Sequence, residues 1–323
     1  MRVEQESRPV KNDTAADGET VIAVEHVSKH YSSGLLSKTV TRAVEDVSFV
    51  MRRGRILSLI GESGSGKTTM GKLILKLIEP TDGCIRFCDD DISCYSSRRE
   101  KQRYYRKVQA VFQEPFASFN PLYKVDRVFE MVFRSLIPEE DDREEKVAAA
   151  LRSVNLEPGE VLGKYPHQLS GGQLQRILIA RALVLDAEVL IADELISMLD
   201  ASTRIGVLNL LGRLARERGL TVLFITHDLS LGYYISDESL IMYRGRLVEM
   251  GDTRKVYHQA AHPYTKLLLR SVPDIGTRWD PEERFVPETI TDTVSHFYRQ
   301  HADTAPGLQE IEPGHWVMLN PGQ

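Results

Sequence analysis

Cysteine is scarce: three in 323 residues, too few for a disulfide framework and in keeping with a reducing compartment. Long apolar runs are missing too. Wholly apolar stretches are short, residues 147–151 among them, against the ~20 residues that a membrane-crossing helix needs. The opening MRVEQESRPVKNDTAADGET has no apolar centre, so no secretory leader is expected and the chain is expected in the cytosol. Nor is there a basic excess, since 41 Lys and Arg stand against 46 Asp and Glu for a formal net charge of -5. A protein held to nucleic acid by phosphate neutralisation carries the opposite balance, and no nucleic-acid partner is expected. The rest is ordinary globular composition, 42% hydrophobic and 27% charged, in a length that allows one large domain or two modest ones.

Residues 1–20 are polar and read as a disordered lead-in. From Val21 the texture changes to TVIAVEHVSKHY, AVEDVSFVMRRG and RILSLIGESGSGKTT. Valine and isoleucine between turn residues predict a small β-rich unit that feeds a central strand. Beyond Lys67, Met70, Leu73, Ile74, Leu77 and Ile78 fall at helical spacing, and Pro80 is expected to end that helix. Residues 120–185 are mostly helical in pattern, with the charge run PEEDDREEK as a solvated helix start. VLIAD (189–193) and TVLFITHD (221–228) are near-continuous apolar runs ending in polar residues. Strands covered on both faces read this way, which implies a parallel sheet. After Val272 no period is legible, and no internal repeat is found along the chain.

The strongest signal is GESGSGKTT, residues 61–69, which fits G-x-x-x-x-G-K-[ST] between a strand and an amphipathic helix. Gly61, Gly64 and Gly66 let the backbone wrap phosphate oxygens, with Glu62, Ser63 and Ser65 completing the loop. The helix N-terminus adds partial positive charge, Lys67 reaches the β/γ phosphates, and Thr68, followed by Thr69, offers a hydroxyl to Mg²⁺. A strand-to-helix turn without a ligand has no need of that lysine and threonine. The chain is expected to bind a nucleoside triphosphate.

VLIADE delivers Asp193 and Glu194 to the end of an apolar strand, where ligands sit in parallel α/β sheets. Asp193 can hold Mg²⁺ through water, and Glu194 can polarise an attacking water. TVLFIT ends at His227, placed to contact a γ-phosphate from a neighbouring strand. LSGGQ, residues 169–173, precedes LQRILIARAL. Ser170 and Gln173 form a capping-box pair, which an ordinary helix start would also explain. Gly171 and Gly172 in the first turn nevertheless cost ~1 kcal/mol each relative to alanine. They expose backbone N–H groups, and the segment reads as a second anion site on a helix N-terminus.

Across residues 21–255 these motifs resemble the nucleotide-binding subunits of ATP-binding cassette (ABC) transporters. GESGSGKTT looks like their Walker A, Gln113 in VFQEPFASFNP like their Q-loop, LSGGQ like their signature, VLIADE like their Walker B and His227 like their switch histidine. Tyr31 in VSKHY matches the aromatic residue that stacks on adenine in that family. The resemblance implies an α/β fold of the P-loop NTPase type: a RecA-like core, a small antiparallel β subdomain and an α-helical signature subdomain near residues 115–185. It also implies ATP and Mg²⁺ as ligands, with Gln113 joining Thr68 and Asp193 at the metal. A head-to-tail dimer follows, each ATP held between Walker A of one subunit and LSGGQ of the other, with Asp200 in the crossing loop. One copy of each motif makes this chain half of such a dimer, homo- or heterodimeric. Partners would be membrane-spanning permease subunits and, indirectly, a solute-binding protein, with the chain peripheral on the cytoplasmic face of the membrane.

QEPFASFNP and HPYTKLLLRSVP (262–273) resemble the oligopeptide/dipeptide importer branch, and the tail GHWVML (314–319) is compatible with it. Residues 256–323 would then be that branch's C-terminal extension. Some members carry a cysteine cluster there for an iron–sulfur centre. Here Cys84, Cys88 and Cys94 all precede the Q-loop, so that cluster is not expected. The usual DEPTSALD reads DELISMLD here: Ser197 and Asp200 remain, while Leu195, Ile196 and Met198 replace proline, threonine and alanine. Loss of the proline is expected to free φ just after the presumed base, while the direct catalytic groups remain and an active enzyme is expected. The alternatives are an exporter's motor subunit, a non-transport ABC ATPase acting on DNA or ribosomes, and a P-loop GTPase. The last would lack its NKxD motif and leave LSGGQ unexplained.

Overall fold

A computed structural model describes residues 18–33, 39–271 and 287–322. Two sheets organise the chain. The smaller is antiparallel, in the order β2 (Thr39–Arg52), β1 (Thr20–Ser33), β4 (Asp82–Phe87) and β5 (Asp90–Asp91). This is the β-rich unit expected from the valine-rich opening. Of the disordered lead-in expected for residues 1–20, residues 1–17 lie outside the described residues, and Thr20 already opens β1.

The larger sheet holds the parallel strands expected from the apolar runs. β3 (Ile56–Ile60) pairs in parallel with β8 (Thr221–Thr226) and with β9 (Glu238–Tyr243). β7 (Val189–Asp193) pairs in parallel with β8 and with β6 (Val108–Val111). Every residue of β3, β7 and β8 is buried, because helices or the second sheet cover both faces. Burying one such Val, Leu or Ile contributes roughly 1.5–3 kcal/mol, so these strands carry much of the fold's stability.

Helix α1 (Lys67–Ile74) follows β3 but stops before the apolar spacing does. Lys76 takes φ 51°, its N–H reaches Leu73 O, and Leu77 N–H reaches Lys72 O. This paired bonding closes a helix end. Leu77 is left 55% exposed, so the helical period continued past the element without a face to bury. α2 (Arg98–Lys107) then leads into β6.

Helices α3 (Arg127–Ser135), α4 (Arg143–Ser153), the short α5 (Pro158–Val161) and α6 (Gly171–Val184) fill the stretch expected to be helical. The charge run enters α4 with Glu144 and Glu145 in its first turn, where carboxylates complement the helix dipole. α7 (Ala201–Arg218) and α8 (Leu229–Ile235) link the later parallel strands.

The tail is more ordered than its sequence implied. β10 (Arg246–Asp252) turns back antiparallel on β9, and α9 (Thr253–His258), α10 (Pro263–Arg270) and α11 (Pro287–Gln300) follow. The hairpin of β11 (Gly307–Glu312) and β12 (His315–Asn320) then joins the large sheet through β10. A division at residue 255 falls inside α9. The tail's Tyr264, Leu268, Ile290 and Val294 pack with Ile60, Ile241 and Val248 of the central sheet. Residues 272–286, including the end of the HPYT segment, lie outside the described residues.

Candidate functional site

Strand order brings the chemistry together. β8 lies between β3 and β7, so the loop after β3, the carboxylates ending β7 and the histidine after β8 share one edge of a parallel sheet. Ligands collect at the carboxyl ends of such strands.

The loop at residues 61–69 is built by its glycines. A Cβ on Gly61 would lie 2.2 Å from Met242 O, and one on Gly66 would lie 2.3 Å from Ala43 O. Gly64 takes φ 81° and Gly66 φ 109°, the left-handed region that a side chain disfavours. Around Gly64 a Cβ would meet nothing within 4 Å, which is the open mouth of the cradle. α1 begins at Gly66 with no side-chain cap, so its first-turn N–H groups are left to an anion.

Lys67 is buried, and its ammonium donates to Gly61 O and Glu62 O, each at 2.7 Å, and to Ser65 Oγ at 3.4 Å. Burial pulls its pKa below the ordinary lysine range, against the pull of Glu194, Asp193 and Glu62. A buried cation held mainly by backbone carbonyls has unspent charge, which suits a phosphate group. Thr68 Oγ1 donates to Asp193 Oδ1 at 3.5 Å. Burial pushes the Asp193 carboxyl up, and the Thr68 hydrogen bond opposes this. A divalent cation at this spot would relieve the burial cost. Thr68 Oγ1 and Asp193 Oδ1 are hard oxygen donors of the kind that Mg²⁺ takes.

Glu194 has φ 48°, and its N–H is held by Ile225 O of β8 at 2.9 Å. Its Oε1 lies 3.1 Å from His227 Nδ1, with the histidine side chain 60% exposed and the glutamate partly buried. The pair can hold a water between a proton acceptor and a phosphate-facing imidazole. Asp228, next in sequence, caps α8 through Ser230 N–H and Leu231 N–H.

Gln113 and Tyr31 are both exposed, Gln113 after β6 and Tyr31 on β1. Tyr31's ring centroid lies 5.3 Å from Lys29 Nζ. Ser170 and Gln173 form the expected capping box at the start of α6. Among the described residues, no hydrogen bond or ion pair joins Gly171, Gly172 or Gln173 to the phosphate loop. A Cβ on Gly172 would lie 2.5 Å from Thr203 Cγ2, so this glycine also serves the packing of α6 against α7. Asp200 caps α7, and hydrogen bonds from Ser202 and Thr203 hold its carboxyl well below the usual range.

Sequence reasoning missed three supports. In the DELISMLD segment, Leu195 and Ile196 are buried, while Met198 is 60% exposed. The Gln175 amide of α6 donates to the Leu195 carbonyl, and Arg204 donates to Leu199 O and Ser197 O. Core packing and these bonds hold the turn that a proline would otherwise have stiffened. Tyr264 of the HPYT segment reaches the phosphate loop, its hydroxyl accepting Glu62 N–H at 3.1 Å. No spacing in the sequence signals a contact across some 200 residues, though the HPYT motif itself was visible.

The chain is similar to known proteins along most of its length. Residues 44–197 match the model of the ABC transporter family, and residues 248–295 match that of the oligopeptide/dipeptide transporter C-terminal region. The oligopeptide transport ATP-binding protein OppF of Bacillus subtilis is 39% identical over 93% of this chain and 96% of its own length. The oligopeptide transport ATP-binding protein AmiF of Streptococcus pneumoniae serotype 4 is 42% identical over 86% of this chain and 89% of its own. The dimeric ATP-binding cassette MJ0796, solved in a post-hydrolysis state with ADP and Pi, superposes with a TM-score of 0.64 at 27% identity, covering 72% of this chain and 99% of its own. The chain therefore belongs to the ABC transporter family, as an ATP-binding subunit of its oligopeptide/dipeptide branch.

Proposed function

We propose that this chain is the ATPase subunit that energises an importer of oligopeptides, bound peripherally to the cytoplasmic side of membrane-spanning permease subunits. The observation that carries the reading is the meeting of the loop at 61–69, Asp193 and the Glu194–His227 pair at adjacent strand ends. The matched C-terminal region and the relatives' names support oligopeptides as the solute. Among the described residues no helix is long and apolar enough to cross a membrane, so passage of the solute falls to partner subunits, with a solute-binding protein as a further, indirect partner.

In the proposed reaction the backbone N–H groups of 61–69 seat the β and γ phosphates, and Lys67 turns from the Gly61 and Glu62 carbonyls to neutralise them. Tyr31 stacks on adenine. Thr68, Asp193 and Gln113 would hold Mg²⁺, which when bound would supply positive charge to stabilise the triphosphate. Glu194 accepts a proton from water as the water oxygen bonds to the γ phosphorus and the bond to the β–γ bridging oxygen breaks. His227, through its Nδ1–H, keeps the Glu194 carboxylate aimed at the water, with the other edge of its ring toward the γ phosphate.

Ser170, Gly171, Gly172 and Gln173 act on the ATP of a second ABC subunit, and Asp200 stabilises the crossing segment. The dimer of the ADP-bound relative supports this arrangement. Ser170→Arg places bulk and positive charge at the positive end of α6, and its expected effect is a loss of turnover of roughly tenfold or more. ATP affinity of the isolated subunit should hold, since its own cradle is intact. A normal ATPase rate in this variant removes the signature segment from the active site.

The transport reading is tested in cells from which the chain is deleted. Uptake of a labelled oligopeptide should fall to background and return with the wild-type chain, but not with Glu194→Gln. Unchanged uptake after deletion overturns the importer assignment.

A further inference from the structure

Tyr264 is completely buried, yet its hydroxyl meets the backbone of the phosphate loop, accepting Glu62 N–H at 3.1 Å. Its position is set from the tail inward. The Glu249 carboxylate, fully buried, accepts Ala261 N–H at 2.8 Å and His262 N–H at 3.1 Å, while His315 Nε2 of β12 donates to the same carboxylate at 2.8 Å. That fixes the turn entering α10. His262 then caps the helix, its Nδ1 accepting Tyr264 N–H at 3.2 Å. Because Nδ1 accepts, the proton of a neutral imidazole sits on Nε2, which donates to Tyr298 Oη of α11 at 3.1 Å. Burial lowers the His262 pKa to about 3, which keeps the ring in that neutral form. The Tyr264 ring lies 4.4 Å from that of Tyr243, at the end of β9, leaving the hydroxyl little freedom.

The contact falls where the loop must change partners. Lys67 Nζ is engaged by Gly61 O, Glu62 O and Ser65 Oγ, so reaching a phosphate requires it to release at least one of them. The lysine's hold on this side of the loop is then loosened, while the N–H side of Glu62 stays tied to a rigid aromatic in the core. A loop already fixed at its entry loses less freedom when phosphate binds.

We infer that Tyr264 is a positioning residue for ATP binding: through its hydroxyl, the C-terminal segment holds the entry of the phosphate loop in its binding shape. The inference rests on the ATP-site reading above and adds to it a role for the tail. Tyr264 does not touch the nucleotide, and it acts through the Glu62 backbone.

The test is Tyr264→Phe in the full chain, which keeps the ring and removes only the acceptor. Titration with a fluorescent ATP analogue should show Kd raised about fivefold, because the variant must order at binding a stretch of loop backbone that the tyrosine otherwise holds in advance. The KM for ATP should rise in parallel, with kcat within about twofold because Lys67, Glu194 and His227 are untouched. Equal Kd and KM in variant and wild type overturn the inference alone. So does a fall in kcat and melting temperature with Kd constant, which marks the tyrosine as core packing only. A wild-type chain that fails to bind the analogue overturns the ATP-site reading and this inference with it. Hydrogen exchange on the wild-type chain supplies an independent arm: the Glu62 amide should be protected without nucleotide, and exchange at the rate of an open loop refutes the contact whether or not the variant folds.

Discussion

Glu194→Gln is expected to lower ATP turnover by roughly 10²–10⁴-fold, the usual contribution of a positioned general base, while ATP stays bound. An amide keeps the shape of the side chain and can still meet His227 Nδ1, 3.1 Å away in the present pair. It cannot take a proton from water. Since Glu194 lies at the end of β7, with its N–H fixed to Ile225 O, the substitution should not disturb the Walker loop or the fold. The trapped protein should therefore run on a sizing column with ATP as a dimer, two cradles closed on two signature segments. Single-turnover kinetics with labelled ATP check the first part, and elution volume checks the second. Full activity in this variant removes Glu194 from the base role.

Lys67→Ala should cost nucleotide binding rather than structure. The ammonium is buried, and burial disfavours its charged form, so in the free protein it is a liability that alanine removes. The Gly61 and Glu62 carbonyls lose its hydrogen bonds, a cost that offsets this gain. With ATP present the balance reverses, because a charge-assisted contact to the β and γ phosphates has no substitute. A loss of roughly 2–4 kcal/mol, about 30- to 1000-fold in Kd, is expected for one such buried partner. Isothermal titration with ATP reads the affinity, and a thermal melt without nucleotide should show little change. Undiminished affinity refutes the cradle.

Sequence carried the local pieces because each is written in adjacent residues. The loop at 61–69 needs glycines, a lysine and a threonine in fixed order, and the capping box of Ser170 and Gln173 needs two residues three apart. β7 and β8 announced themselves as apolar runs, since a strand covered on both faces has no polar side to alternate. The end of α1 was misplaced for the converse reason: Leu77 and Ile78 continue the helical period, but Lys76 turns left-handed and ends it first. Periodicity reports what a face could bury, and bonding at the helix end decides where it stops.

Only the tertiary structure decided which distant residues share the site. Strand order set β8 between β3 and β7, and so brought Thr68 to Asp193 and His227 to Glu194. The same holds for the tail. Residues 307–320 carry no signal of belonging to the central sheet, because an edge hairpin borrows its partner from β10, far back in the chain. Tyr264 sits over Glu62 because Glu249, His262 and His315 meet in one buried cluster. Local sequence fixes what each segment can offer a ligand. Which segments meet depends on the long-range pairing and burial that close the core, and no neighbouring residue encodes that.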